Sequence, residues 1–533
     1  MLSTLLFAGL ALAQSVDPVF DIPAILKPPL AGRVLKASEK DGIITEEVMF
    51  HSERDGDKSV EIFALFSYPK EGRKLPAFIW NQGGLARATP YFTELGAKRG
   101  YAALCIDFPI TSYRSTGGYS INAGVELPSD PRQAPIYHGA VALLRAVSYL
   151  QSRPEVDGER IGIAGSSWGG FYTTMQVGLD ARLKVGSSMF GCGALELGNN
   201  WWDGQGKDPK RTPEFRRRWA ETLDPARRLS RSRTPLACFT GTNDVFYWLP
   251  SVMETLRRSQ GDTHLGLLPN WNHALTPEID EQVFTFLDIH LKEAEKFLEV
   301  TPLTVDEERR ATWRFAGKRT FARAELMVSF GEEGCWSSRY WMTLPATAAD
   351  GTCRATVPRG KLPAYVIGTV IDKDGFRSST GMVVVPGDKN ATTFVPAYDG
   401  CSEWGGMNPG QVRFLQLHGL PALPMDGQGR PRLPEAKTVT LGPILFTPGV
   451  KHQLRLRLHG DAAQTVPLAL VGVFDRTNVR ESLKLERAAG DKEWRVAHDF
   501  TPPRTSTGRL ALEIRGQAGN VTWFDGVQFV PVE

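Results

Sequence analysis

Arg160-Ile161-Gly162-Ile163-Ala164-Gly165-Ser166-Ser167-Trp168-Gly169-Gly170-Phe171-Tyr172-Thr173-Thr174-Met175-Gln176 decides how the rest of the chain is read. Ile161, Ile163 and Ala164 predict a short buried strand, and the residues after Gly169 predict a helix. Gly165-Ser166-Ser167-Trp168-Gly169 fits G-x-S-x-G. A strand that turns sharply into a helix strains its central residue and lifts that side chain clear of the sheet, at the positive end of the helix. Small residues flank it because the two backbones must pass close together. Ser167 is therefore the candidate nucleophile.

A hydroxyl is a poor nucleophile at neutral pH and needs a base in reach, which in turn needs an orienting carboxylate. In an α/β sheet these groups lie past the C-terminal ends of later strands. Working outward, the chain alternates strand and helix on both sides of the elbow. Pro76–Trp80 is an apolar run opening into Asn81-Gln82-Gly83-Gly84, and Tyr101–Phe108 is a second buried strand. Pro135–Ser152 has helical periodicity. Pro235–Thr240 ends in Gly241-Thr242-Asn243-Asp244, and His264–Pro269 ends in Asn270-Trp271-Asn272-His273. Pro277–Lys296 closes the region as a long helix. This alternation predicts an α/β fold, a doubly wound sheet covered on both faces.

Three histidines follow Ser167 in this region. His264 falls inside a strand and His290 inside a helix, so His273, in a loop directly after a strand, is the candidate base. Asp244, after the preceding strand, is the candidate orienting acid. The expected oxyanion donors are the backbone amides of Trp168 and of Gly83 or Gly84. The stretch Gly193–Leu229 interrupts the rhythm as an insertion able to cap a pocket, and Trp201, Trp202 and Trp271 are candidate pocket residues.

Beyond Pro302 helical periodicity ends. Short strands predict an immunoglobulin-like β-sandwich over 301–394 and a jelly-roll-like sandwich over 395–533, the latter of a kind that binds carbohydrate. The α/β region spans 14–300. Residues 1–13 read as a secretory signal, an apolar run ending Ala11-Leu12-Ala13 with no Lys or Arg before it. Export to the medium or periplasm is the expectation.

The chain has 533 residues and a formal charge of +3, close to neutral, which points away from nucleic acid and from a polybasic membrane anchor. Its six cysteines show no metal-ligand spacing, and no metal or organic cofactor is expected. In an oxidising compartment Cys335 could pair with Cys353, and Cys192 with Cys238.

Several stretches resemble secreted α/β-hydrolases of the acetylxylan esterase, cephalosporin-C deacetylase and dienelactone hydrolase-like group. They are Gly165–Phe171, Gly178–Lys184, Phe190–Gly193, Pro154–Gly162 and Gly241–Asp244. The resemblance covers roughly residues 40–295. It implies a Ser-His-Asp triad, which falls on Ser167, His273 and Asp244, and deacetylation of carbohydrate esters, with a small-molecule or polysaccharide ester as substrate. Where relatives carry His-Gly-Gly-Gly, this chain has Asn81-Gln82-Gly83-Gly84. Prolyl oligopeptidase-type peptidases use the same triad but usually follow an N-terminal propeller, for which the region here is too short. A non-catalytic surface protein on a hydrolase scaffold is the remaining alternative.

Overall fold

The structure, a computed structural model, describes residues 17–398 apart from 86, 111–112, 121–125, 204–210, 270, 274–275, 332, 335, 337–338, 340 and 392–396. Beyond 398 it describes residue 451, residue 501 and seven strands between 438 and 531. The signal-like residues 1–13 and Cys335 lie outside the described residues.

Three antiparallel strands lead in: β1 (Arg33–Lys40), β2 (Ile43–Asp55) and β3 (Lys58–Pro69). The short helix α1 (Ile22–Leu26) precedes them. Six strands follow: β4 (Leu75–Asn81), β5 (Ala102–Ile106), β6 (Val156–Ser166), β7 (Val185–Met189), β8 (Leu236–Gly241) and β9 (Thr263–Leu268). Together the nine form one sheet, ordered β1-β2-β3-β5-β4-β6-β7-β8-β9. From β5 onward all neighbours run parallel, and the first three are antiparallel, so the sheet is mixed. The central strands are buried along their lengths, which is why they read as unbroken apolar runs.

Helices cover both faces. α2 (Pro90–Lys98), α3 (Pro135–Gln151) and α4 (Trp168–Leu179) precede the insertion, which folds as α5 (Asn200–Asp203), α6 (Pro213–Thr222) and α7 (Ala226–Leu229). α8 (Leu249–Arg258) and α9 (Pro277–Lys292) complete the set. One apolar core gathers the side of α3 and α4, and a second gathers α2 and α9 on the other face.

The remaining strands are antiparallel in the main. β10 (Glu299–Val300) and β11 (Thr304–Val305) flank β12 (Arg310–Ala316). β13 (Phe321–Phe330), β14 (Met342–Ala349), β15 (Thr352–Thr356), β16 (Ala364–Asp372), β17 (Arg377–Ser379) and β18 (Val383–Val385) curl with them into a near-barrel around Trp313, Leu326, Val328 and Val366. β19 (Ala397–Tyr398) pairs with Phe330 of β13 on one side.

Further on come β20 (Thr438–Leu445), β21 (His452–Gly460), β22 (Leu468–Gly472), β23 (Arg480–Leu483), β24 (Glu493–Phe500), β25 (Arg509–Arg515) and β26 (Thr522–Pro531). β19 also joins β26 through Ala397 and Gln528, so with the Phe330–Ala397 pairing one sheet links residues on both sides of the boundary expected at 394 and 395. A separate four-stranded sheet is ordered β20-β25-β22-β23.

The cysteine pairings are corrected. Cys192, Cys238 and Cys353 are all free and buried, each packed as a small apolar side chain in a core. Burial pushes the Cys238 thiol up to about 12.

Candidate active site

Ser167 sits between the last residue of β6 and the first of α4 with φ 57° and ψ −121°. For a residue with a Cβ this backbone region costs about 1–3 kcal/mol and persists only when the surroundings hold it. The surroundings here are specific. The Ser167 amide donates to the carbonyl of Met189 at 2.8 Å, and the Ser167 carbonyl accepts from Phe171 at 2.9 Å. The glycines explain themselves: a Cβ on Gly169 would stand 2.0 Å from the carbonyl oxygen of Asn81, and one on Gly170 2.6 Å from Ser188 Oγ. The Ser167 hydroxyl is not spent on capping α4, and the side chain is only half-buried.

The carboxylate and the imidazole come from β8 and β9, two and three strands away from β6, or roughly 10 and 15 Å at sheet spacing. Their loops are stitched to each other. Thr242 donates its amide to the Leu268 carbonyl, and Asn243 donates its amide to the Trp271 carbonyl at 2.9 Å. Asn272 Oδ1 accepts from the amides of Val245 (3.1 Å) and His273 (2.6 Å).

Asp244, 2 % exposed, then meets His273, 8 % exposed: Oδ2 lies 2.8 Å from Nδ1. Oδ2 also accepts from Thr240 Oγ1 at 3.3 Å, and Oδ1 accepts from the amides of Phe246 and Tyr247 at 2.8 and 2.9 Å. The tautomer that suits this contact carries its proton on Nδ1, facing the carboxylate oxygen, and leaves the lone pair on Nε2. The rings of Phe190 and Phe246 flank that imidazole at 5.3 and 4.9 Å.

Of the oxyanion candidates, Trp168 is the first residue of α4, and Gly83 lies against Ser167. A Cβ on Gly83 would stand 3.1 Å from the Cβ of Ser167. Gly84 adopts φ 62° with open space around it. The loop is brought there by the pairing of Asn81 with Gly165 across β4 and β6.

The three tryptophans separate. Trp201 is half-buried and touches Trp168 at 5.1 Å, Phe246 at 5.6 Å and Tyr247 at 5.2 Å between ring centroids. Trp202, 1 % exposed, packs on Trp219 at 5.0 Å and on Phe215. Trp271 enters through its backbone: its carbonyl accepts from Asn243 and fills the space a Cβ on Gly241 would need.

His264 and His290 stay away from this edge. His264 lies within β9 with Nε2 3.0 Å from the Arg377 carbonyl, and burial pushes it down to about 4. Asn272 was given no role by the sequence, and Asp224 stood there only as a poorer candidate for the orienting acid. Asn272 carried a faint signal as the polar residue directly before the loop histidine. Asp224, wholly buried, accepts from the amides of Ala194, Leu195 and Ala226 and so ties the start of the insertion to its end. Nothing in its local sequence marks it.

Residues 140–294 match the model of the prolyl oligopeptidase family. No curated protein sequence matches the chain. Among solved structures the chain is similar to an acetyl xylan esterase from Paenibacillus sp. R4, with 22% identity over 51% of this chain and 92% of that one and a TM-score of 0.43. It is similar to acetyl xylan esterase 1 from Thermoanaerobacterium sp. JW/SL YS485, with 16% identity, 50% and 90% covered and a TM-score of 0.42. It is also similar to the Pyrococcus horikoshii acylaminoacyl peptidase, with 16% identity, 52% of each chain covered and a TM-score of 0.36. The stretch matched by the family model contains Ser167, Asp244 and His273.

Proposed function

We propose that this chain is a secreted serine carboxylesterase that cleaves acetyl esters of carbohydrates, with Ser167 as nucleophile, His273 as base and Asp244 as orienting acid. The observation that carries the reading is the saturated Asp244–His273 pair at the edge of the sheet that also carries the strained Ser167.

In the reaction His273 Nε2 takes the proton of Ser167 Oγ as that oxygen bonds to the ester carbonyl carbon. The negative charge that develops on the carbonyl oxygen falls to the amide of Trp168 and that of Gly83 or Gly84. Collapse breaks the bond to the alcohol oxygen, which leaves with the proton from His273. Water, deprotonated by the same imidazole, then attacks the acyl-serine and frees acid and Ser167. The half-exposed Trp201 supplies an aromatic wall for the bound ester. Export rests on the apolar N-terminal run, and the carbohydrate reading on the motif resemblance over roughly 40–295. The assignment of 301–394 and 395–533 as two sandwich domains, the second binding carbohydrate, is part of the same proposal.

The test is a panel of acetylated polysaccharides and simple acetyl esters, with fluorophosphonate labelling alongside, on the wild type and Ser167→Ala. Turnover and labelling should both vanish in the variant; a variant as active as wild type refutes the reading. A peptidase reading is favoured by the family matched over 140–294. An ester and an amide sharing one acyl group separate the two: the esterase reading expects the ester to turn over and the amide to resist.

A further inference from the structure

Asn243 stands one residue before Asp244 and is completely buried. Its side-chain oxygen accepts from Thr242 Oγ1 at 2.7 Å, which orients the amide group. Its Nδ2 then donates to the backbone carbonyl of Arg339 at 2.5 Å. Arg339 belongs to the near-barrel, in the segment between β13 and β14. That carbonyl is itself held in place. The Arg339 side chain is 1 % exposed, its guanidinium lies over the rings of Trp336 (4.6 Å) and Tyr365 (4.4 Å), and Nε donates to the Gly334 carbonyl at 2.9 Å. Tyr365 sits on β16, paired with Ser329 of β13. Trp336, Trp341, Tyr365 and Ile367 are part of the same apolar core as Tyr247 and Trp248 behind the catalytic loop. The acid-bearing loop therefore rests on two supports, the His273 loop through the Asn243 amide and the near-barrel through the Asn243 side chain.

We infer that Asn243 is a positioning residue through which the near-barrel sets the place of Asp244 against His273. The near-barrel is in this sense part of the catalytic apparatus of the α/β region. The inference rests on the triad assignment, not on the identity of the substrate. Removing the Asn243 amide leaves the Arg339 carbonyl buried without this donor and releases the loop at the residue adjoining the acid. Asp244 then spends time away from the imidazole, and the tautomer it selects is less populated.

The experiment is a double-mutant cycle on the full chain with p-nitrophenyl acetate. Asn243→Ala should lower kcat about 10-fold or more while KM stays within about twofold, because a positioning loss is felt in the transition state and not in ground-state binding. In an Asp244→Asn background the same change should cost less than about twofold, since the group it positions is gone. The downfield Nδ1 proton resonance of His273 should broaden or shift in Asn243→Ala. Arg339→Lys, which keeps charge but loses the planar stack, should move kcat in the same direction and serves if Asn243→Ala does not fold. A kcat for Asn243→Ala within twofold of wild type overturns the inference. So does an equal loss in both backgrounds, which would mean a general structural effect. Asp244→Asn alone reports on the triad assignment, so the two failures are told apart.

Discussion

One oxygen of Asp244 faces Nδ1 of His273 at 2.8 Å while the other is held by the amides of Phe246 and Tyr247. The carboxylate is thus clamped by the backbone before it orients the ring. Asp244→Asn keeps the shape but offers an N–H where an acceptor is needed, or an oxygen at the cost of the two amide bonds. The expected loss in kcat is about 10⁴-fold, with the thermal midpoint changed little in comparison. Steady-state kinetics on a simple acetyl ester beside a thermal melt would check it.

Trp201 and Trp202 are neighbours on α5 with opposite environments. Trp202→Ala empties a site walled by Trp219 and Phe215 and should cost about 3–5 kcal/mol of stability. Trp201→Ala should leave the denaturation midpoint nearly in place and lower kcat/KM, more for bulky esters than for small ones. Urea melts and kinetics on both variants decide the matter, and equal stability losses would argue against the assigned roles.

The elbow tolerates no side chain at Gly169. Alanine there would put a methyl group 2.0 Å from the Asn81 carbonyl, a backbone atom with no freedom to rotate aside. We expect a loss of about 1–3 kcal/mol or more, with activity falling alongside. Gly84→Ala provides the contrast: space is open and only the positive φ is unfavourable, so about 1 kcal/mol is expected. Chemical denaturation of both variants gives the comparison.

His264 predicts an acid sensitivity. Burial holds its folded value near 4 against an ordinary 6.5, so the unfolded chain binds more protons in that window. Stability contributed by the neutral ring is complete above pH 6.5 and is lost as pH falls toward 4. For this one group the loss is about 2 kcal/mol between pH 8 and pH 5. His264→Gln, which retains a donor for the Arg377 carbonyl, should flatten that part of the stability profile. An unchanged slope would show that other groups dominate it.

How much of this could be read beforehand varies with the physics of each part. That Ser167, Asp244 and His273 stand in turns beyond the ends of β6, β8 and β9 was legible, because the strands leading to them carry buried apolar runs. β1 was not legible as a strand: Arg33–Lys40 is exposed on both faces, so burial imposes no alternation on it. The short near-barrel strands β10, β11 and β17 were not legible, whereas the longer β12, β13, β15 and β16 were legible one by one. Their assembly was not, because the pairing of Ala397 with Phe330 and Gln528 joins residues more than sixty positions apart. Asn243 and Asn272 act through loop contacts set by the tertiary fold, and an asparagine after a strand has many commoner uses.

The position of β6 in the sheet has one further consequence. It is hydrogen-bonded on both sides, by β4 and β7, and buried through the residues that lead to Ser167. Ser167 therefore cannot lose its geometry by fraying at an edge, as β1 can. Inactivation under mild denaturant should coincide with the cooperative melting of the whole sheet, and residual activity becomes a gauge of how many molecules remain intact.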